Sequence, residues 1–327
     1  MKRNVAAFDR RSFLRAAAAG ALSVAFARPG DAAEPKPLRG VFPIGQTPFT
    51  ESDKLDVDCL QAEVRFCNRF KVHGFAWPQI ASGWTTLSEQ ERLEGAEAIL
   101  SAGKGGRTSL VIGVQDRGGS VEKAAAYARH AARNGADAII SLPPDKGGDR
   151  AVIEYYKTLG AATELPLIVQ TQGDMSVDLV VEMFRQIPTM KCVKDEAGNP
   201  LERVTQIRER TGGKLAVFSG NGVRTMIDEM RLGFSGHCPY TSLSNFYAAA
   251  FDLWHSGKRR EAFDMFGRIQ AFNSIPGAAN YLLVLRGVFR ETTRSRESAG
   301  RGGPLDEAGK KALRDAWDEF MKPHLRG

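Results

Sequence analysis

Thr189-Met190-Lys191-Cys192-Val193-Lys194-Asp195-Glu196-Ala197-Gly198-Asn199 reads as a short strand, Met190 to Lys194, that runs out into a polar turn closed by Gly198-Asn199. A second lysine stands where the strand ends, directly before two acids. If the strand belongs to a β/α barrel, its carboxyl end opens into the mouth where such folds keep their chemistry. A lysine desolvated there can attack a carbonyl as the free amine. In another setting the same residue is a strand-end cation paired at the surface with Asp195 or Glu196. The flanking sequence decides between the two.

Working outward, the same alternation lies on both sides. The strand Leu167–Gln170 and a helix over Ser176–Gln186 come before; a helix over Leu201–Arg210 and the strand Leu215–Ser219 come after. Further upstream, Ser109–Gly113 and Asp137–Leu142 are apolar strand runs. Each is followed by a helix, Ser120–Asn134 (with Gly135 at its C-cap) and Arg150–Ala162. A strand that begins at Val41-Phe42-Pro43-Ile44 and ends at Gln46-Thr47-Pro48-Phe49, and the run Gly74–Trp77, begin the series. Their helices run over Asp56–Arg69 and from the capping box Ser88-Glu89-Gln90-Glu91 to about Ala102. Downstream, a helix over Val223–Leu232, a weak strand at Ser235–Pro239 and a helix over Leu243–His255 complete eight strand–helix units.

Strands apolar on both faces, alternating with amphipathic helices, mean a parallel sheet covered by helices. Eight units predict an α/β fold of the closed (β/α)8 TIM-barrel type. An open doubly wound sheet fits less well, because no Gly-x-Gly-x-x-Gly follows the first strand. Helices over Arg259–Phe272, Pro276–Arg290 and Leu305–Met321 predict an appended C-terminal helical bundle. Thr292–Gly303 reads as a mobile Ser/Arg/Gly-rich linker within it.

The first 33 residues stand apart. Asp9-Arg10-Arg11-Ser12-Phe13-Leu14-Arg15 precedes an Ala-rich apolar run from Ala16 to Ala27, and Asp31-Ala32-Ala33 offers a small-residue cleavage site. Paired arginines before an apolar stretch too short to span a bilayer predict a twin-arginine export signal. The chain then divides into that signal (1–33), the barrel (34–257) and the helical region (258–327). The folded protein is expected in the periplasm, with no membrane partner after cleavage. The leader carries six Lys/Arg and two Asp, so four of the formal +7 charges leave with it, and no nucleic-acid footprint remains to be read. Four scattered cysteines, Cys59, Cys67, Cys192 and Cys238, make neither a disulfide framework nor a metal site. Without a metal constellation or a nucleotide loop, no cofactor is expected.

In this arrangement the chain resembles the dihydrodipicolinate synthase / N-acetylneuraminate lyase family over about residues 40–290. Gly40-x6-Thr47-Pro48-Phe49 is similar to the family's opening strand. Val193-Lys194-Asp195-Glu196-Ala197-Gly198-Asn199 is similar to its lysine segment (typically I-K-E-x-x-G-N, read here with a one-residue shift). Ser219-Gly220-Asn221-Gly222 is similar to its S-G-D-D turn after strand seven. The resemblance implies a barrel with C-terminal helices that forms a homo-oligomer, a tetramer or a dimer. It also implies Lys194 as the residue holding a 2-keto acid as a Schiff base, with Lys191 the weaker candidate.

The departures are specific. The family's G-T-T-G-E loop, whose hydroxyls hold the keto acid's carboxylate, falls on Gln79-Ile80-Ala81-Ser82-Gly83. That leaves Ser82 and Gly83, with Thr47, Gly220 and Asn221, as the substrate-binding candidates. The relay tyrosine of strand five falls on Gln170, whose amide can orient a water but has no proton to give. A second tyrosine falls near Asp145. The Val-Gln end of strand five is similar to a branch that dehydrates 2-keto-3-deoxy sugar acids. The function implied is that of a lyase acting on a 2-keto acid, such as a 2-keto-3-deoxy sugar acid. It would work through a lysine Schiff base, by dehydration or by aldol cleavage or condensation. The alternative is a non-catalytic periplasmic ligand-binding barrel derived from the family.

Smaller expectations accompany these. Asp195 and Glu196 are expected to face out of the barrel or over its rim, with Cys192, Val193 and Phe218 as Lys194's apolar neighbours. His237 is expected to be structural and without a partner, Tyr155 and Tyr156 to pack against the barrel, and Trp77 and Trp84 to wall the pocket or a subunit contact.

Overall fold

The computed structural model describes residues 36–145, 147–220, 222–275, 277–296 and 305–325. The leader and Asn221 lie outside the described residues. The strands are β1 (Gly40–Val41), β2 (Gly74–Trp77), β3 (Ser109–Gly113), β4 (Ala138–Ser141), β5 (Leu167–Gln170), β6 (Met190–Asp195), β7 (Ala216–Ser219) and β8 (Gly236–His237). Helices follow them in turn: α1 (Val57–Arg69), α2 (Glu89–Ala102), α3 (Val121–Arg133), α4 (Gly148–Ala162), α5 (Val177–Gln186), α6 (Pro200–Arg210), α7 (Met226–Leu232) and α8 (Ser244–His255).

All pairings are parallel, in the order β1-β8-β7-β6-β5-β4-β3-β2. The chain beyond β1 completes the ring: Ala76 N donates to Pro43 O and Gly45 N to Ala76 O, each at 3.0 Å. The result is the predicted eight-stranded (β/α)8 barrel, followed by helices α9 (Arg259–Asn273), α10 (Ala278–Leu285) and α11 (Glu307–Ala316).

Two apolar layers hold it. Phe42, Ile44, Val111, Ile140, Ile168 and Phe218 fill the inside of the barrel. A larger shell, including Leu60, Ile99, Val169, Val193 and Phe251, packs between strands and helices. All four cysteines are free and buried; Cys192 and Cys238 belong to the inner layer, Cys67 to the outer.

The two layers fix which way each β6 side chain points. Met190 belongs to the outer layer and Cys192, two residues on, to the inner one. Regular pleating would put both on one face. A register shift against β5 resolves this: Leu167 pairs with Met190, but Ile168 pairs with Cys192, so Lys191 is an extra, exposed residue. From Cys192 onward the alternation is regular, and Val193 faces the helices rather than standing beside Lys194.

Three elements depart from the sequence reading for local reasons. Helix α7 begins at Met226, not Val223, because Val223 sits at φ 52°, a left-handed conformation a helix cannot contain. Helix α10 stops at Leu285, with Gly287 just beyond at φ 67°. The start of the proposed mobile linker is pinned. Arg294 exchanges backbone hydrogen bonds with Phe49 (2.9 and 2.8 Å), and Arg296 binds Asp53 and Glu91 with its guanidinium over the Phe49 ring. The stretch 297–304 lies outside the described residues.

Candidate active site

Lys194 lies near the carboxyl end of β6, and its side chain is buried but for 5%. It points inward and up, into a cavity of about 870 Å³ at the barrel mouth. The cavity is walled by Ile80 and Ala81 after β2, Gly220 after β7, the segment Cys238–Tyr240 after β8, and the end of α9. Gly220 gives the side chains of Lys194 and Glu196 their space. A Cβ there would come within 2.0 Å of Glu196 Oε1 and 2.4 Å of Lys194 Cε.

Asp195 and Glu196 take opposite faces. Asp195 is fully buried on the helix side, where Arg203 of α6 binds it through Nε and Nη2, both at 2.9 Å. Thr171 Oγ1 also donates to Asp195 Oδ1 (2.8 Å) and accepts from the backbone N–H groups of Glu196 and Ala197. That clamp fixes the turn after β6. Glu196 turns inward, and its Oε1 lies 3.2 Å from Lys194 Nζ. Its other oxygen accepts a short hydrogen bond from Gln170 Nε2. The expectation that both acids face out of the barrel or over its rim holds for Asp195, whereas Glu196 turns to the amine inside the mouth. Strand pleating carries the signal that could have found it, since a residue two along from an inward lysine also faces inward. The lysine-to-glycine spacing also matches the resembled pattern without a shift: Asp195 takes its acidic position, and Glu196 and Ala197 the two variable ones.

Of the remaining candidates, Gln170 reaches the site through Glu196, and Gly220 lines the cavity. Thr47, Ser82 and Gly83 do not line it. Thr47 Oγ1 donates to Ser82 O (2.5 Å) and accepts from Trp77 Nε1 (3.0 Å). Ser82 Oγ accepts from Gln79 N (3.0 Å), and Gly83 makes a left-handed joint between two short 3-10 turns. The hydroxyls thus bind the loop to itself, while Ile80 and Ala81 face the cavity. Trp77 is wholly buried against α2, next to Gly95, and neither it nor Trp84 lines the cavity.

Tyr155 and Tyr156 pack behind the barrel as expected. Tyr156 Oη donates to the carbonyls of Ser141 (2.8 Å) and Gln170 (3.3 Å), joining the ends of β4 and β5. His237 does have a partner: its Nδ1 lies 2.8 Å from Glu229 Oε2, and both are buried on the helix side of β8. Burial alone would raise the Glu229 carboxyl. Hydrogen bonds from His237, Ser219 and Thr225 outweigh it and hold the group below its ordinary value.

Several lining groups went unread in the sequence. Arg224 reaches the cavity rim from the turn before α7, and Tyr247 of α8 lines the wall with its hydroxyl bound by Asn273 Nδ2 at 2.9 Å. Burial pushes the Tyr247 phenol up to about 12, and the Cys238 thiol likewise to about 12. Both therefore keep their protons near neutral pH. Among the described residues no group of three or more His, Cys, Asp or Glu could hold a metal ion, and no helix is long and apolar enough to cross a membrane.

A family model described as the dihydrodipicolinate synthetase family matches residues 37–284. A 4-hydroxy-tetrahydrodipicolinate synthase from Bartonella bacilliformis is 25% identical over 283 residues, covering 79% of this chain and 91% of that one. The N-acetylneuraminate lyase of Mycoplasma synoviae has the same fold, with a TM-score of 0.75 at 19% identity over 87% of this chain and 98% of that one. So does the dihydrodipicolinate synthase of Rhodopseudomonas palustris, with a TM-score of 0.73 at 19% identity over 87% and 98%.

Proposed function

Since the chain belongs to the dihydrodipicolinate synthetase family, whose lyases act through a Schiff base, we propose that Lys194 is the amine that forms it, on a 2-keto acid. The observation that carries this reading is the placement of Lys194: a buried amine opening into a large cavity at the barrel mouth, where this fold keeps its reacting groups. The amine attacks the keto carbon, water leaves, and the resulting iminium draws electrons from the adjacent C–H or C–C bond. Dehydration and aldol cleavage or condensation both begin there. The cavity is far larger than a three-carbon acid needs, and its outer wall carries Gln270, Asn273 and Ser242. Those groups suit the hydroxyls of a 2-keto-3-deoxy sugar acid.

Incubation with pyruvate and borohydride, followed by peptide mass spectrometry, tests the proposal. A reduced adduct on Lys194 that Lys194→Arg abolishes is expected. No adduct with pyruvate or with several 2-keto-3-deoxy acids would end it. In the alternative reading the barrel only captures a ligand, and Lys194 is needed only as the ion-pair partner of Glu196. Lys194→Ala with intact ligand affinity, and no turnover across the same acids, would select that reading. The proposal also places the enzyme in the periplasm, as an oligomer exported by residues 1–33. Export of a reporter fused to those residues should stop with R10K/R11K.

A further inference from the structure

We propose that Glu196 is the catalytic base that removes the proton beside the imine, held in place by Gln170. The inference rests on the Schiff-base reading and adds the group that reading lacks. Dehydration and condensation both need a proton to leave C3 of the iminium on Lys194, and the position a relay tyrosine would occupy holds Gln170, which cannot accept one.

The geometry supplies the acceptor. Glu196 Oε1 lies 3.2 Å from Nζ. Once Nζ is bonded to C2, C3 is only one further bond away. Among the described lining residues, Glu196 is the single carboxylate, and there is no histidine. Tyr247 and Cys238 keep their protons. Gln170 Nε2 grips the second carboxylate oxygen, and Glu196 Oε1 occupies the space beside Lys194 that a side chain at Gly220 would fill. The group is therefore aimed as well as near.

The step balances within the site. Glu196 Oε1 takes the C3 proton, and the C3–H electron pair becomes the C2=C3 double bond. The imine π pair moves onto Nζ and discharges its positive charge. The product is a neutral enamine beside a protonated Glu196. Returning the proton reverses the step, so in D2O a keto acid that does nothing else should exchange its C3 hydrogens.

Exchange of the pyruvate methyl hydrogens, followed by proton NMR in D2O, is the test, with borohydride trapping run in parallel. The wild type is expected to exchange and to trap. Glu196→Gln, which keeps the shape and a bond to Gln170, is expected to trap on Lys194 yet lose exchange by about 10²–10⁴-fold, the usual weight of a general base. Gln170→Leu is expected to slow exchange with trapping retained, which separates aiming the carboxylate from folding. Exchange by Glu196→Gln at the wild-type rate overturns the proposal, as does a wild type that traps without exchanging; both leave the Schiff base standing. Absence of an adduct in the wild type overturns both readings together.

Discussion

Glu63 gives the most direct test of the energetics. It lies on α1, wholly buried, with Oε2 accepting from Gln46 N at 3.1 Å and Oε1 without a partner. Burial raises its carboxyl from the ordinary 4.5 to about 8, and the hydrogen bond from Gln46 N, with the Thr241 hydroxyl nearby, only partly opposes that. As pH rises through 4.5 the unfolded chain releases this proton while the folded protein keeps it. Stability is therefore full below pH 4.5, falls as pH rises, and levels off above about 8. At about 1.4 kcal/mol per pH unit of separation, the loss between pH 5 and pH 8 is roughly 3–4 kcal/mol. For the folded unit Lys36–Gly327, about 2.1 cal/mol/K per residue gives an unfolding entropy of roughly 0.6 kcal/mol/K, hence about 6 °C in Tm. Glu63→Gln imitates the protonated acid and removes the titration. Thermal unfolding of both proteins across pH 5–8 should show the variant gaining on the wild type by about that amount toward pH 8. Parallel Tm curves would falsify the assignment of a buried, protonated Glu63.

Arg203→Ala leaves Asp195 buried without its cation and should cost about 3–5 kcal/mol in urea unfolding, with much of it recovered by pairing R203M with D195L. Gly220→Ala forces a methyl group against Glu196 and Lys194; it should cost about 1–3 kcal/mol and slow imine trapping well beyond what that destabilisation explains. Thr47→Val removes the bonds to Ser82 and Trp77 and should cost about 1–3 kcal/mol, read by denaturant midpoint. Its KM for the keto acid should be unchanged, since that hydroxyl does not reach the cavity.

Much of the barrel was legible because strand runs and helical periodicity repeat eight times, and because Lys194 ends a strand in register with them. What was not legible depended on choices between faces. Pleating assigns Glu196 to the inside once Lys194 is there, and an expectation that sends both acids out of the barrel or over its rim treats two adjacent acids as one feature. Ser82 carries a hydroxyl at the expected point of the loop, but sequence does not say whether a hydroxyl meets a ligand or a neighbouring amide. Thr171, which ties Asp195 to the turn after β6, gave no signal beyond being a threonine in a short loop. The position of α7 turned on one backbone angle at Val223, a β-branched residue that gives no warning of a left-handed conformation.

The extra residue in β6 has a bearing on how this site could be gained or lost. Met190 and Cys192 face opposite layers only because Lys191 is out of step. A chain lacking that one residue, with its amino-terminal half still paired to β5, would enter the mouth in opposite phase. The amine would then point at the helices, and the acid now bound by Arg203 would point at the barrel axis. All the side chains needed for the chemistry would remain, and none would face where it must. The reactive centre is thus written in a reading frame of its own, set at Lys191, a residue that touches neither the cavity nor the core. Deleting Lys191 therefore asks more of the fold than replacing it: Lys191→Ala keeps the phase, whereas removal of the residue obliges β6 to choose between its pairing and its lysine.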